Sequence, residues 1–367
     1  MQFGLNESQE FLRDSARKFF AGEYPIAEVR RLMETDTAFD PNLWAKLAEQ
    51  GYTGIIFPEE FGGVGLGTVE LILLMEEAGR ALLPGPFFST VVMAGSLLDS
   101  IATPEQKMRY LAPICRGEAR ATVAFFEPNG SWDLGDVRLT AINGELKGEK
   151  LFVPDAAVAD WIIVVASNGV FLVDAKTSGI RIQPMLGMDL TRKLYYVQFE
   201  NTIAEKLGET AALSRPRGIA TVALAAELVG GMQRTLDITV EYAKTRKQFG
   251  KPIGIFQAVQ HQCADMYLET ESARSAVYYA AWALQHHAPD AAAAVSIAKL
   301  YASDASRTVG NRGIQVHGGM GFTWENDLHL YYRRAKASET AFGDASFHRE
   351  WLARLIIDAE AVSARSA

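Results

Sequence analysis

WIIVVASNGVFLVD (Trp161–Asp174) is two runs of β-branched and aromatic residues meeting at Asn168-Gly169, a dipeptide suited to the positive φ values of a two-residue hairpin turn. A second signal of the same kind, Asn143-Gly144, stands upstream. β-Branched and aromatic residues with turn punctuation fill the stretch from about 119 to 205. These features predict a compact antiparallel β domain, a barrel or a sandwich, in the middle of the chain.

On both sides the period changes to that of helices. Asn6 and Gln9 suit an N-cap and its N3 partner, with Phe11, Leu12, Ala16, Phe19 and Phe20 following on one face. Asp40-Pro41 opens a helix that Gly51 can close, and Thr103-Pro104 with Gln106 at N3 repeats the device before a helix ending near Gly117. After Arg215-Pro216, helical segments near 216–247, 256–287, 290–312 and 345–363 have the lengths of an antiparallel four-helix bundle. The expected fold is mainly α with a central β domain: 1–118 all-helical, 119–210 β, and 211–367 a four-helix bundle.

The chain has 367 residues, 49% hydrophobic and 22% charged, an ordinary globular composition able to bury a large core. Its net charge of −8 argues against nucleic acid or anionic membrane as the main partner. Cys115 and Cys263 fall on separate helical segments with no disulfide framework or metal-type spacing, which fits a reducing cytoplasm. MQFGLNESQEF lacks a basic region followed by an apolar run, so no secretory signal is expected there. No segment reaches the ~18 apolar residues of a membrane span; TVALAAELVGGM is interrupted by Glu227.

Side chains able to perform chemistry unaided are scarce. His286 and His287 are adjacent and point about 100° apart on a helix, so they cannot chelate one ion. His261 and His317 stand singly and read as structural histidines, leaving no metal site. GGVGLG (Gly62–Gly67) has neither the spacing nor the βαβ context of a dinucleotide loop and reads as a flexible connection. No serine sits in a nucleophile elbow. Difficult chemistry would therefore belong to a cofactor.

QVHGGMGFTWENDLHLYYRRAKASETAFGD (Gln315–Asp344) resembles the C-terminal signature of the acyl-CoA dehydrogenase family. The helix–sheet–helix order and the PEEFGG run (Pro58–Gly63) are similar to the family as well, so the resemblance runs end to end. TRKQFG (Thr245–Gly250), IGIFQAVQH (Ile253–His261) and QVHGG (Gln315–Gly319) resemble the elements that hold the pyrophosphate and adenosine portion of FAD. The resemblance implies that Arg246 offers its planar fork to the diphosphate, Gln257 reads a polar edge, and Phe249 packs at the adenosine end. It implies too that Gln315, Gly318 and Gly319 bring backbone close to the cofactor. Taken alone, Arg246 is also consistent with a plain surface charge.

Other family positions are altered. The run Arg333-Arg334-Ala335-Lys336 leads to Phe342 where many members carry the glutamate that takes the α-proton, and phenylalanine accepts no proton. The second base position known in the family falls at Ala220. Glu227, two helical turns later, reads as one half of a structural pair. Asp344 is the residual candidate for a base. In FFEPNGSWD (Phe125–Asp133), Phe126 stands at a threonine that bonds the flavin and Trp132 at a serine. Pro154, in LFVP (Leu151–Pro154), replaces a hydroxyl near flavin N5. Backbone amides alone holding the flavin, or a gap in the alignment of this loop, are the other readings of these changes.

By resemblance the activity is FAD-dependent α,β-dehydrogenation of a fatty or sterol acyl-CoA, with an electron-transfer flavoprotein or similar acceptor as partner. Family FAD lies at a dimer interface, the flavin ring in one subunit and the ADP half held by its neighbour. The chain resembles the smaller, base-lacking subunit of bacterial heterotetramers and is expected to complete the FAD site of a base-bearing partner. A self-sufficient homomeric enzyme using Asp344 or another acid, and a structural subunit without flavin, are the alternatives.

Overall fold

The computed structural model describes residues 4–358. Its helices are α1 (Glu7–Glu23), α2 (Ile26–Met33), α3 (Pro41–Glu49), α4 (Thr68–Arg80), α5 (Ser96–Ile101), α6 (Pro104–Gln106) and α7 (Ala112–Cys115), then α8 (Ser214–Thr245), α9 (Gln257–Gln285), α10 (Ala291–His317), α11 (Leu328–Thr340) and α12 (Ala345–Ala353). The strands are β1 (Ala121–Ala124), β2 (Ala141–Ile142), β3 (Glu145–Pro154), β4 (Trp161–Ala166), β5 (Gly169–Asp174), β6 (Ile180–Met185), β7 (Leu194–Ile203), β8 (Glu205–Gly208) and a small hairpin, β9 (Lys247–Gln248) and β10 (Lys251–Pro252). Two compact units result: one from the described residues of Met1–Ile26, Ile72–Leu83 and Thr221–Ala367, the other from Ala27–Leu71 and Pro84–Ala220.

Local chemistry sets the helix ends. Asn6 Oδ1 accepts from the Gln9 amide at 2.9 Å while Gln9 Oε1 accepts from the Asn6 amide at 3.1 Å, a complete capping box. Thr103 and Gln106 repeat it before α6, and Asp40 caps α3 with Pro41 in the first turn. Gly51, at φ 74°, closes α3 as expected. On α1, Ala16 and Phe20 are buried but Phe11 is 75% exposed. Leu12, Ala16, Phe19 and Phe20 follow the i, i+4, i+7, i+8 spacing of one face, and Phe11 lies one step off it.

The middle strands form two open four-stranded sheets, in the orders β1-β4-β5-β8 and β2-β3-β7-β6. Side chains from both, among them Leu146, Ile162, Val164, Phe171, Val173, Val197 and Phe199, share one core, which makes a sandwich and no closed barrel. The expectation of a wholly antiparallel domain also needs correcting, because β1 and β4 pair in parallel. Their connection is a long crossover, as parallel strands require, and a hairpin signal cannot reveal it. Asn143 (φ 52°) and Gly144 (φ 80°) do form the two-residue turn between β2 and β3. In the β4–β5 hairpin the turn residues are Ser167 and Asn168, with Gly169 already paired to Ala166.

In the helical unit α10 packs against α9, α11 and α12. Helices α4 and α8 cross where neither can carry a side chain. A Cβ on Gly230 would lie 1.8 Å from Glu76 O, and one on Gly79 would lie 2.1 Å from Glu227 O. Helix α10 runs to His317, past the expected 312, and α11 was not anticipated. Of the expected last helix, 345–358 is helical and 359–363 lie outside the described residues.

Candidate functional site

The ends of α8 and α10 meet through one aromatic contact. The Tyr242 ring stacks on His317, centroids 4.1 Å apart and planes 21° from parallel, and Tyr242 Oη donates to His317 O at 3.4 Å. Arg246 lies one turn beyond Tyr242, and the β9–β10 hairpin folds back so that the Ile253 amide donates to Arg246 O at 2.8 Å. Gly254 packs against Ala243, which seats the hairpin on α8 and starts α9 at Gln257.

Arg246, Gln257, Gln315, Gly318 and Gly319 are all exposed, and Phe249 is 91% exposed at φ 54°, edge-on to Phe256. Among the described residues no carboxylate pairs with Arg246. Gly318 adopts φ 60° and ψ −138°, a region essentially reserved for glycine. No atom lies within 4 Å of where a Cβ on Gly318 or Gly319 would stand. An open backbone approach, a free guanidinium fork and two exposed amides suit a diphosphate with its nucleoside.

The sandwich region is arranged differently. Phe126 lies 4.9 Å from Trp132 and 5.6 Å from Phe152, centroid to centroid, and Phe125 stacks on Trp132 at 5.6 Å with planes 11° apart. The Arg217 guanidinium sits 5.8 Å from the Phe125 centroid. Phe152 holds φ 51° inside a β-bulge of β3, where the Leu151 amide donates to Phe126 O at 2.8 Å. The run is anchored from behind by the fully buried Lys150, whose Nζ donates to Phe125 O at 3.0 Å and to Glu127 Oε1 at 2.6 Å. Burial opposes the Glu127 carboxylate, yet Lys150 and the amides of Arg138 and Leu139 hold it below the usual range. Pro154 ends β3, its carbonyl accepting from Thr122 Oγ1 at 2.6 Å. Here aromatic rings contact one another, and neither Phe126 nor Pro154 offers a side-chain hydrogen bond to a flavin ring.

The loop between α11 and α12 carries the third set. Phe342, 9% exposed at φ 60°, precedes Gly343 at φ 96°. Lys299 of α10, 0% exposed, donates to Glu339 O at 2.8 Å, Gly343 O at 3.0 Å and Ser303 Oγ at 3.1 Å. His348 Nε2 lies 3.1 Å from Phe342 O. Burial pushes the Lys299 ammonium down to about 7, against the pull of the Glu339 and Asp344 carboxylates. Asp344 caps α12, Oδ1 accepting from the Phe347 amide at 2.9 Å, so one of its oxygens is already engaged. Ala220 is buried in the first turns of α8. Glu227 makes the pair its position suggested, with Arg334 Nη1 at 2.6 Å and Ser338 Oγ at 3.4 Å, both partners buried.

Sequence reasoning missed Lys299, His348, Tyr242 and the Glu127–Lys150 pair. Only a lysine amid the small residues of α10 was there as a signal. Among the described residues no group of three or more His, Cys, Asp or Glu stands close enough to hold a metal ion. Likewise no described helix is long and apolar enough to cross a membrane.

Comparison with known proteins identifies the family. Residues 6–118 match the acyl-CoA dehydrogenase N-terminal domain and 218–357 the acyl-CoA dehydrogenase C-terminal domain. Acyl-CoA dehydrogenase IpdE2 of Mycolicibacterium smegmatis is 34% identical over 96% of this chain and 98% of its own length. Among solved structures, a Tcur3481-Tcur3483 steroid acyl-CoA dehydrogenase variant matches with TM-score 0.88 and 32% identity over 97% of this chain and 99% of that one. The ChsE4-ChsE5 complex from Mycobacterium tuberculosis matches with TM-score 0.88 and 27% identity over 96% and 98%. The chain belongs to the acyl-CoA dehydrogenase family, FAD-dependent oxidoreductases.

Proposed function

We propose that this acyl-CoA dehydrogenase subunit completes the FAD site of a base-bearing partner, holding the ADP half of a flavin whose ring lies in the partner. The observation that carries the reading is the aromatic cluster of Phe125, Phe126, Trp132 and Phe152, set at the positions where the family's flavin contacts would be. Arg246, Phe249, Gln257, Gln315, Gly318 and Gly319 are the cofactor-binding residues on this reading. When bound, FAD supplies the acceptor for the hydride leaving the β-carbon of the acyl-CoA. The α-proton needs a base, and neither Phe342 nor Ala220 can take it. A general base is worth about 10²–10⁴-fold in rate, so the partner must provide it.

Asp344 is a poor substitute because its carboxylate caps α12. The substrate class is a fatty or sterol acyl-CoA, the electron acceptor an electron-transfer flavoprotein or similar protein, and the compartment the cytoplasm. The two structural relatives described as a Tcur3481-Tcur3483 enzyme and a ChsE4-ChsE5 complex support a two-chain assembly. The test is purification of the chain alone and together with a base-bearing partner. Alone it should carry little FAD and oxidise no acyl-CoA. A yellow homo-oligomer with one FAD per chain and steady turnover would overturn the proposal.

A further inference from the structure

Lys299 is a buried amine in a ring of neutral oxygens. The residue is 0% exposed, and its Nζ lies 2.8 Å from Glu339 O, 3.0 Å from Gly343 O and 3.1 Å from Ser303 Oγ. No carboxylate among the described residues is bonded to it. Glu339 turns its carboxylate away, to Arg307 at 3.1 Å and Lys336 at 2.7 Å, and Asp344 Oδ1 accepts from the Phe347 amide. On α9, Asp265 and Glu269 bond Arg312 and Tyr301 of α10, and on α12 Arg349 bonds Asp304. An ammonium in the ring has three N–H groups for three oxygens. The buried Ser303 hydroxyl, with no acceptor of its own among the described residues, is then left with an unused proton. A neutral amine has two N–H groups, for the two carbonyls, and one lone pair, which the Ser303 hydroxyl meets. Only the neutral form uses every hydrogen in the ring. Burial acts in the same direction, pushing the amine down to about 7.

The ring closes on a turn under backbone strain. Phe342 at φ 60° and Gly343 at φ 96° are consecutive left-handed residues, and a Cβ on Gly343 would lie 2.3 Å from the Phe347 ring. The turn's second grip is His348 Nε2, 3.1 Å from Phe342 O, and it donates to that carbonyl whether the imidazole is neutral or charged. The Lys299 amine is therefore the part of the clamp that changes with pH. We infer that Lys299 rests as a neutral amine and acts as an acid-sensitive latch on the Phe342–Gly343 turn, closed while Ser303 donates to Nζ and loosened when a proton from solvent makes Nζ an ammonium. Protonation places a charge among neutral oxygens, and opening of the turn lets water solvate it. The inference is independent of where FAD sits.

The test uses the full chain over a series of pH values, read in two ways. With 13C-labelled lysine, one side-chain resonance should titrate near 7, well apart from the ordinary 10.5, and should be missing from Lys299→Met. Hydrogen exchange over residues 340–347, corrected for intrinsic rates, should show protection that rises about tenfold from about pH 6 to pH 8 and is level below, because the opened turn returns the amine to its ordinary 10.5. Lys299→Met should remove that slope. The wild-type titration and exchange decide the matter even where the variant fails to fold. Lysines that all titrate above about pH 9, or protection that stays level between about pH 6 and pH 8, would overturn the inference, as would an unaltered slope in Lys299→Met.

Discussion

Two regions of the molecule, assigned by resemblance to the two halves of FAD, are in opposite states. At the ends of α8 and α10, Arg246, Gln257 and Gln315 are exposed, and Gly318 and Gly319 leave the backbone open. In the sandwich, Phe126 contacts both Trp132 and Phe152, and Pro154 closes a strand. Both regions are firmly positioned, one by the Tyr242–His317 stack and the other by the buried Lys150–Glu127 pair. Rigidity alone therefore does not mark a binding site. Polar capacity left unmet on a rigid frame does, because a ligand can satisfy it without a cost in reordering the protein.

Three substitutions and a pH series can break this contrast. Trp132→Ala should destabilise the chain by about 2–4 kcal/mol, since a half-buried indole stacked on Phe125 and tilted against Phe126 is lost. It should leave the FAD content of the co-expressed complex unchanged, checked by denaturant unfolding beside flavin absorbance. Arg246→Ala should do the reverse. Unfolding should scarcely move, while FAD affinity of the complex falls about ten- to a hundredfold, or roughly 1.5–3 kcal/mol, with Arg246→Lys recovering part.

Lys299 gives a pH test of the frame around Phe342. Its folded pKa of about 7 lies below the ordinary 10.5, so the unfolded chain binds more protons between those values. The cost of the buried ammonium is complete below pH 7 and fades as pH rises towards 10.5. From pH 7 to 9 the wild type should gain stability relative to Lys299→Met by up to about 2.7 kcal/mol, near 1.36 kcal/mol for each pH unit. Equal slopes would mean that Lys299 stays charged in its ring of oxygens. The smallest effect belongs to Asp344→Asn. Asparagine caps helices nearly as well, so stability should change by a few tenths of a kcal/mol and turnover of the complex should not change. A loss of about a hundredfold would instead make Asp344 the base.

Much of the fold was legible because its signals are local. The Asn6/Gln9 and Thr103/Gln106 boxes and the Asn143-Gly144 turn are settled within four residues of chain. The β1–β4 pairing joins segments far apart in sequence, so neither strand announces its partner. Helix α11 went unseen because its buried face includes Arg334 and Ser338, polar residues whose partner, Glu227, lies on another helix. At the site, the identity of Phe126, Trp132 and Pro154 showed which hydroxyls were missing. It could not show that Phe152 turns through a bulge to contact Phe126. Lys299 was invisible as a loop anchor for a similar reason, since two of its three acceptors are backbone carbonyls 40 and 44 residues away.

The most direct test is the FAD stoichiometry of a complex between this chain and a base-bearing partner. One FAD for each pair of chains is expected, lost when Arg246→Ala is placed in this chain and kept when the Phe126, Trp132 and Phe152 cluster is altered. One FAD for every chain, or full occupancy with Arg246→Ala, would contradict the division of labour between the two regions.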